Sequence, residues 1–149
     1  MLSADHNLEI DAPAELVWEV ITDFPRYGEW NPFCLECTST LKPGDTINMR
    51  VNLGRAPQKV VEIIESCTPG KGFSYHMKPL PLGALRSLRS HAIEARGAGK
   101  SQYRSHFELS GWLLPLVAAM FGEGMQSGFE QMSAAVKRRA EDLWRQRQR

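Results

Sequence analysis

Up to about residue 110 the dominant period of the apolar side chains is two, clearest in three segments, and from about 113 to 144 it is that of a helix. Nothing else in the chain restricts its fold as much. Side chains along a strand alternate between faces, so a sheet of such segments has one dry and one wet face. The dry face needs a cover, and one long helix follows to supply it. "DTINMRVNL" sets Ile47, Met49, Val51 and Leu53 against Thr46, Asn48, Arg50 and Asn52. "QKVVEIIESC" is a second, β-branched run, and "GKGFSYHMK" sets Phe73, Tyr75 and Met77 against Ser74, His76 and Lys78. "GAGK" at 97–100 is a turn between "LRSHAIEAR" and "SQYRSHFEL", which makes those two segments an antiparallel hairpin. In the later one Tyr103, Ser105, Phe107 and Leu109 share a face, with Gln102, Arg104, His106 and Glu108 opposite.

Upstream, residues 4–11 read as a first strand. Pro13 suits the first turn of a helix, with Glu15 near its positive end. Leu16, Val17, Val20 and Ile21 give that helix its apolar stripe, and "FPRYGEWNPF" then reads as a short helical turn and a loop. No repeat or low-complexity linker divides the chain, so residues 1–149 are expected to form one domain. A domain of this size buries roughly 70% of its unfolded surface. The apolar fraction of 42% with 23% charged residues is ordinary for a globular protein, and a net charge of +1 argues against a partner drawn by overall charge. Three cysteines (Cys34, Cys37 and Cys67) without framework spacing favour a reducing compartment. "MLSADHNLEI" has neither the basic nor the apolar region of a signal peptide, and no apolar run approaches a membrane span. The expected location is cytoplasmic.

The C-terminal helix spans about Leu113 to Trp144, with Pro115 in its first turn. Its stripe is Val117, Met120, Phe121, Met125, Met132 and Val136. Within it "FGEGMQSGFEQM" carries Gly122, Gly124 and Gly128, each costing an exposed helix interior roughly 1 kcal/mol relative to alanine. On a wheel of about 100° per residue, Gly124 and Gly128 fall inside the stripe and Gly122 at its edge. Glycine facing a sheet either leaves a hollow or lets the backbones touch.

Three segments carry a resemblance to a known family: "IDAPAELVWEVITDFPRYGEWNPF" at 10–33, "FELSG" at 107–111 and "GFEQMSAAVKRRAE" at 128–141. They resemble the START-like superfamily, which includes polyketide cyclase/dehydrase and lipid-transport proteins, Bet v 1-type allergens and coenzyme Q-binding proteins. The resemblance implies an α+β helix-grip fold. A curved antiparallel sheet of about seven strands would wrap a long C-terminal helix, with two short helices after strand 1 and an apolar cavity between sheet and helix. It favours the hollow reading of Gly124 and Gly128. It also implies three loops at the cavity mouth: "GRAP" at 54–57, "PLPLGAL" at 79–85 and "GWLLPL" at 111–116. Their Leu80, Leu82, Leu85, Trp112, Leu113 and Leu114 would form a ligand entrance, a docking surface or a plug.

If Ile93 faces inward, the period of two takes Arg89 and His91 inward with it. Beside them would lie Tyr75, Tyr103 and Ser105, a small polar set in a greasy pocket. Trp30 and Phe33 would close one end. Met49, Val51, Phe73, Tyr75, Met77, Phe107, Met120 and Met125 would line the rest, with Gly124 and Gly128 giving room. The leading reading is binding of a small hydrophobic molecule such as a lipid, quinone or polyketide-like compound. The alternative is a cyclase/aromatase or dehydratase with His91 as proton shuttle and Arg89 as oxyanion stabiliser. A third is transient membrane or protein docking through loops 79–85 and 111–116, by a monomer or homodimer. No cofactor, metal or nucleic acid is expected. "CLEC" is a lone C-x-x-C whose cysteines would point to opposite faces of a strand. The histidines at 6, 76, 91 and 106 lack metal-ligand spacing, with His76 and His106 toward water. The tail cations Lys137, Arg138, Arg139, Arg145, Arg147 and Arg149 suit a helix C-terminus, and only Trp144 is interleaved with them.

Overall fold

Seven antiparallel strands curve around one long helix in the computed structural model, which describes residues 1–54 and 56–149. The strands are β1 (Leu2–Ile10), β2 (Cys34–Ser39), β3 (Thr46–Val51), β4 (Gln58–Thr68), β5 (Gly72–His76), β6 (Arg86–Ala95) and β7 (Ser101–Ser110). Their order across the sheet is β1-β7-β6-β5-β4-β3-β2. From β2 to β7 each strand pairs with its successor in sequence. Only β1 pairs at long range, with Leu2 opposite Leu109 and Ile10 opposite Ser101. The hairpin at 97–100 sets Ile93 opposite Tyr103 and Arg89 opposite Phe107, so those four share the inner face as their alternation requires. This is the helix-grip arrangement that the resemblance implies.

Between β1 and β2 lie α1 (Ala14–Thr22), a 3-10 turn (Phe24–Arg26) and α2 (Tyr27–Trp30). Pro13 is the residue just before α1 rather than within its first turn, and its carbonyl accepts from the N–H groups of Leu16 and Val17 at 3.0 and 3.2 Å. α1 buries Leu16, Val17, Val20 and Ile21 against the long helix and the ends of β6 and β7. Tyr27 donates its hydroxyl to the carbonyl of Ile21, which locks the turn beneath α1.

The cysteines of "CLEC" depart from the strand expectation. Cys34 pairs with Val51 and Cys37 with Met49, because the ladder slips by one residue between Cys34 and Glu36. A bulge of this kind inserts one unpaired residue and inverts the alternation beyond it. Both thiols are therefore buried on the inner face.

The C-terminal helix also departs from a single regular period. It runs as α3 (Leu114–Val117), a π turn (Ala118–Gly122) and α4 (Glu123–Arg147). The wide turn rotates the residues before it relative to those after it. Met120, expected on the apolar stripe, is 46% exposed, whereas Gly122, expected at its edge, is buried. Lys137 Nζ donates to the carbonyl of Glu9, and the Glu141 carboxylate accepts from the Asp11 N–H at 2.9 Å, so α4 is tied to the end of β1. Arg139 pairs with Glu29 and Arg147 with Glu19, which anchors the basic tail to α2 and α1.

The hollow expected at Gly124 and Gly128 is filled. A Cβ on Gly124 would overlap the carbonyl oxygen of Leu53 and stand 2.7 Å from its carbonyl carbon. A Cβ on Gly128 would overlap the Phe33 ring edge and stand 3.0 Å from its Cγ. Both glycines let neighbours touch the helix backbone, as close packing demands.

Candidate functional site: a cavity between sheet and helix

A cavity of about 240 Å³ lies between the inner sheet face and the helix. The period of two decides its walls. β3 contributes Met49 and Val51, β4 Val60 and Glu62, β5 Tyr75, β6 Ser87 and Arg89, and β7 Phe107 and Leu109. Phe33, Leu53, Met77 and Leu85 close it from the connecting segments, while Val117, Phe121, Met125 and Phe129 form the helical wall. Such a space, apolar with a few convergent polar groups, is the usual form of a small-molecule site.

Three lining side chains, besides the Tyr75 phenol, are polar. Ser87 Oγ accepts from the Met77 N–H at 3.0 Å and so is already engaged. Arg89 is only 2% exposed. One of its nitrogens, Nη1, donates to Ser105 Oγ at 2.5 Å, to the His106 carbonyl at 3.3 Å and to the Ser90 carbonyl at 3.5 Å. Its Nη2 meets the Met132 sulfur at 3.7 Å, and the guanidinium carbon stands 4.6 Å from the centre of the Phe129 ring. Phe129 packs in turn against Phe107 and Phe33 with tilted rings, so an aromatic cluster holds the charge in place. No carboxylate forms an ion pair with Arg89 among the described residues.

Glu62 is the third polar wall residue. It is half-buried, and burial pushes its carboxyl up to about 7, against the opposing pull of Arg89 and His76. Desolvation disfavours the charged carboxylate, and the cations only partly offset it. Glu62 was not singled out from sequence. Val60 and Ile64 flank it two residues away, so the period of two does reach it, but the β-branched run around it hides which face is which.

The other residues of the expected polar set lie behind the wall. His91 Nδ1 is 2.6 Å from the Tyr103 hydroxyl, and its ring packs on Phe73. Burial, with Arg89 nearby, holds His91 well below its ordinary value, so it is neutral. Ser105 is fully buried and is taken by Arg89. Phe73, His91, Tyr103 and Ser105 do not reach the cavity. Arg89 and His91 share the inner face but not the cavity. Trp30 sits in a separate groove between α1 and α4 with Arg139 and Leu143, and Met120 points away. Phe33, Met49, Val51, Tyr75, Met77, Arg89, Phe107 and Met125 do line the cavity; Gly124 and Gly128 do not.

At the mouth, Leu85 is buried and plugs the cavity wall, while Leu82 is 93% and Trp112 63% exposed. Trp112 Nε1 donates to the Leu82 carbonyl at 3.0 Å, which ties loops 79–85 and 111–116 into one apolar platform. Arg55 of the loop "GRAP" lies outside the described residues. His76 is half-buried, with Nδ1 2.9 Å from the Met77 carbonyl, and His106 on the outer face lies between Asp5 and Glu108.

The family model described as "Polyketide cyclase / dehydrase and lipid transport" matches residues 1–141. No curated protein matches the chain in sequence. Among solved structures, the chain is similar to a START superfamily protein from Mycobacterium smegmatis, with 16% identity, a TM-score of 0.71, and 95% of this chain and 98% of that one covered. It is similar to the Zhui aromatase/cyclase from Streptomyces sp. R1128, with 15% identity, a TM-score of 0.71, and 99% and 95% covered. It also matches the di-domain ARO/CYC BexL, with 14% identity and a TM-score of 0.68; 91% of this chain aligns but it spans only 46% of that one. At these identities the likeness shows the shared fold. With the family model matching nearly the whole chain, the protein belongs to the polyketide cyclase / dehydrase and lipid transport family.

Proposed function

We propose that the protein binds a small, mostly apolar molecule in the cavity between its sheet and its C-terminal helix. The observation that carries this reading is the apolar space of about 240 Å³ with Arg89 and Glu62 on its wall. A core left unfilled at this scale forfeits dispersion contacts, since interiors are otherwise close-packed. The methionines at 49, 77 and 125 suit a wall that repacks around its occupant. The cyclase or dehydratase alternative needs a working pair, and His91 is neutral, bound to Tyr103 and set back from the space where Arg89 is displayed. Carriage or sequestration is therefore the better reading.

Native mass spectrometry of protein purified gently from its own host tests this. A retained apolar adduct is expected in the wild type and absent in Met125→Trp, whose indole fills the cavity. Equal retention in the two proteins places the ligand elsewhere and removes the reading.

A further inference from the structure

Arg89 and Glu62 stand on opposite sides of β5 and face one cavity. Arg89 is registered against Tyr75, and Ile63, next to Glu62, against His76. Guanidinium groups stay protonated in proteins. Arg89 spends its hydrogen bonds on a hydroxyl, two carbonyls and a sulfur, with no anion at ion-pair distance among the described residues. Glu62 makes no hydrogen bond and no ion pair with any described residue. A buried charge of either kind is costly without a partner.

The ionisable groups on the cavity wall with Glu62 are Tyr75 from β5 and Arg89 from β6, while His76, paired with Ile63 on the other face of β5, acts on it only through the strand. The partner of Glu62 on β3 is Ile47, and the helical wall is apolar throughout. The charge inside the cavity is therefore set by Arg89 and Glu62. With Glu62 ionised the two sum to zero, and an entering anion meets a carboxylate in a poorly screened space. With Glu62 protonated the sum is +1, which one monoanion neutralises.

On the reading that the cavity is the binding site, we infer that its ligand is an amphipathic acid: an apolar body ending in a single carboxylate seated against Arg89, with Glu62 taking up one proton from water as it binds. Glu62 is poised near pH 7, so this proton uptake is nearly free at neutrality.

The test is calorimetric titration of the full chain with decanoate and, separately, with the uncharged 1-decanol at pH 6 and pH 8. Decanoate is ionised at both. The wild type is expected to bind decanoate at least about tenfold tighter than 1-decanol at pH 6. Its decanoate affinity is expected to fall about tenfold between pH 6 and pH 8, as the protonated fraction of Glu62 falls. Buffers of different ionisation enthalpy should report close to one proton taken up at pH 8. Glu62→Gln should bind decanoate equally at both pH values, at least as tightly as the wild type at pH 8. Equal affinities for acid and alcohol, or a wild-type decanoate affinity independent of pH, overturn the inference and leave the cavity reading standing. If neither molecule binds, the cavity reading falls with it.

Discussion

At Gly124 a methyl group would run into the backbone of Leu53, which has no rotamer with which to step aside. At Gly122 the nearest atom to such a methyl is the Ala118 Cβ, at an ordinary 3.6 Å. The two positions thus answer differently to one substitution. Gly124→Ala is expected to lower stability by about 1–3 kcal/mol, the range for overpacking, because helix and β3–β4 connection must part. Gly122→Ala is expected to be neutral or stabilising by up to about 1 kcal/mol. Urea midpoints of the two variants check this, and equal shifts would refute the contact account. The helical wheel finds that Gly124 and Gly128 face inward. It cannot find what they face, since Leu53 and Phe33 arrive from distant parts of the chain.

β2 and the C-terminal helix each carry a one-residue irregularity that periodicity misses. In β2 the bulge turns Cys34 and Cys37 to the same face, where Cys34 Sγ donates to the Glu36 carbonyl at 3.3 Å. A hydrogen bond with the Cys34 thiol, reinforced by burial, pushes the Cys37 thiol far up. The thiolate is the reactive form, which Cys37 resists, and burial shields both sulfurs, so both are expected to be inert toward a water-soluble disulfide reagent at pH 8 in the native protein and to react fully in urea. Fast native labelling of either thiol would show that β2 is not buried as described. In the helix the π turn at Ala118–Gly122 sets the direction of Val117 and Phe121, which face the cavity, and of Met120, which does not. Apolar residues at 117, 120 and 121 read as one stripe only while the turn is assumed regular. A bulge and a π turn each add one residue without any composition of their own, which is why neither is visible in a pattern of polar and apolar letters.

Over the whole molecule, Glu62 and His91 bend the stability profile in opposite senses. The folded carboxyl titrates near 7 and the free side chain near 4.5, so the native state holds the extra proton between those values. Its contribution is favourable below that window and is lost as pH rises through it. His91 is held below its ordinary 6.5, so the unfolded chain takes up a proton that the native state refuses, and stability is lost as pH falls below that value. Glu62→Gln removes only the first limb. It is expected to be about 3 kcal/mol more stable than the wild type at pH 8 and to match it at pH 4.5, read from urea unfolding at each pH. An advantage of the same size at both would mean that packing rather than ionisation separates them.

The sequence by itself determined the architecture. Alternation in "DTINMRVNL", "GKGFSYHMK" and "SQYRSHFEL" sets the strands and their dry face, and the register that turns Arg89 inward follows from Ile93 on the same strand. Those signals are local, because a strand's two faces differ within a few residues. Only the tertiary structure decided which inward residues meet empty space. Arg89 and His91 are two residues apart on one face, yet one borders the cavity and the other is sealed behind it by Phe73 and Tyr103. Glu62 joins Arg89 only because β4 and β6 flank β5 in a sheet that curves around a helix. Curvature and close approach depend on every strand at once, and no single segment encodes them.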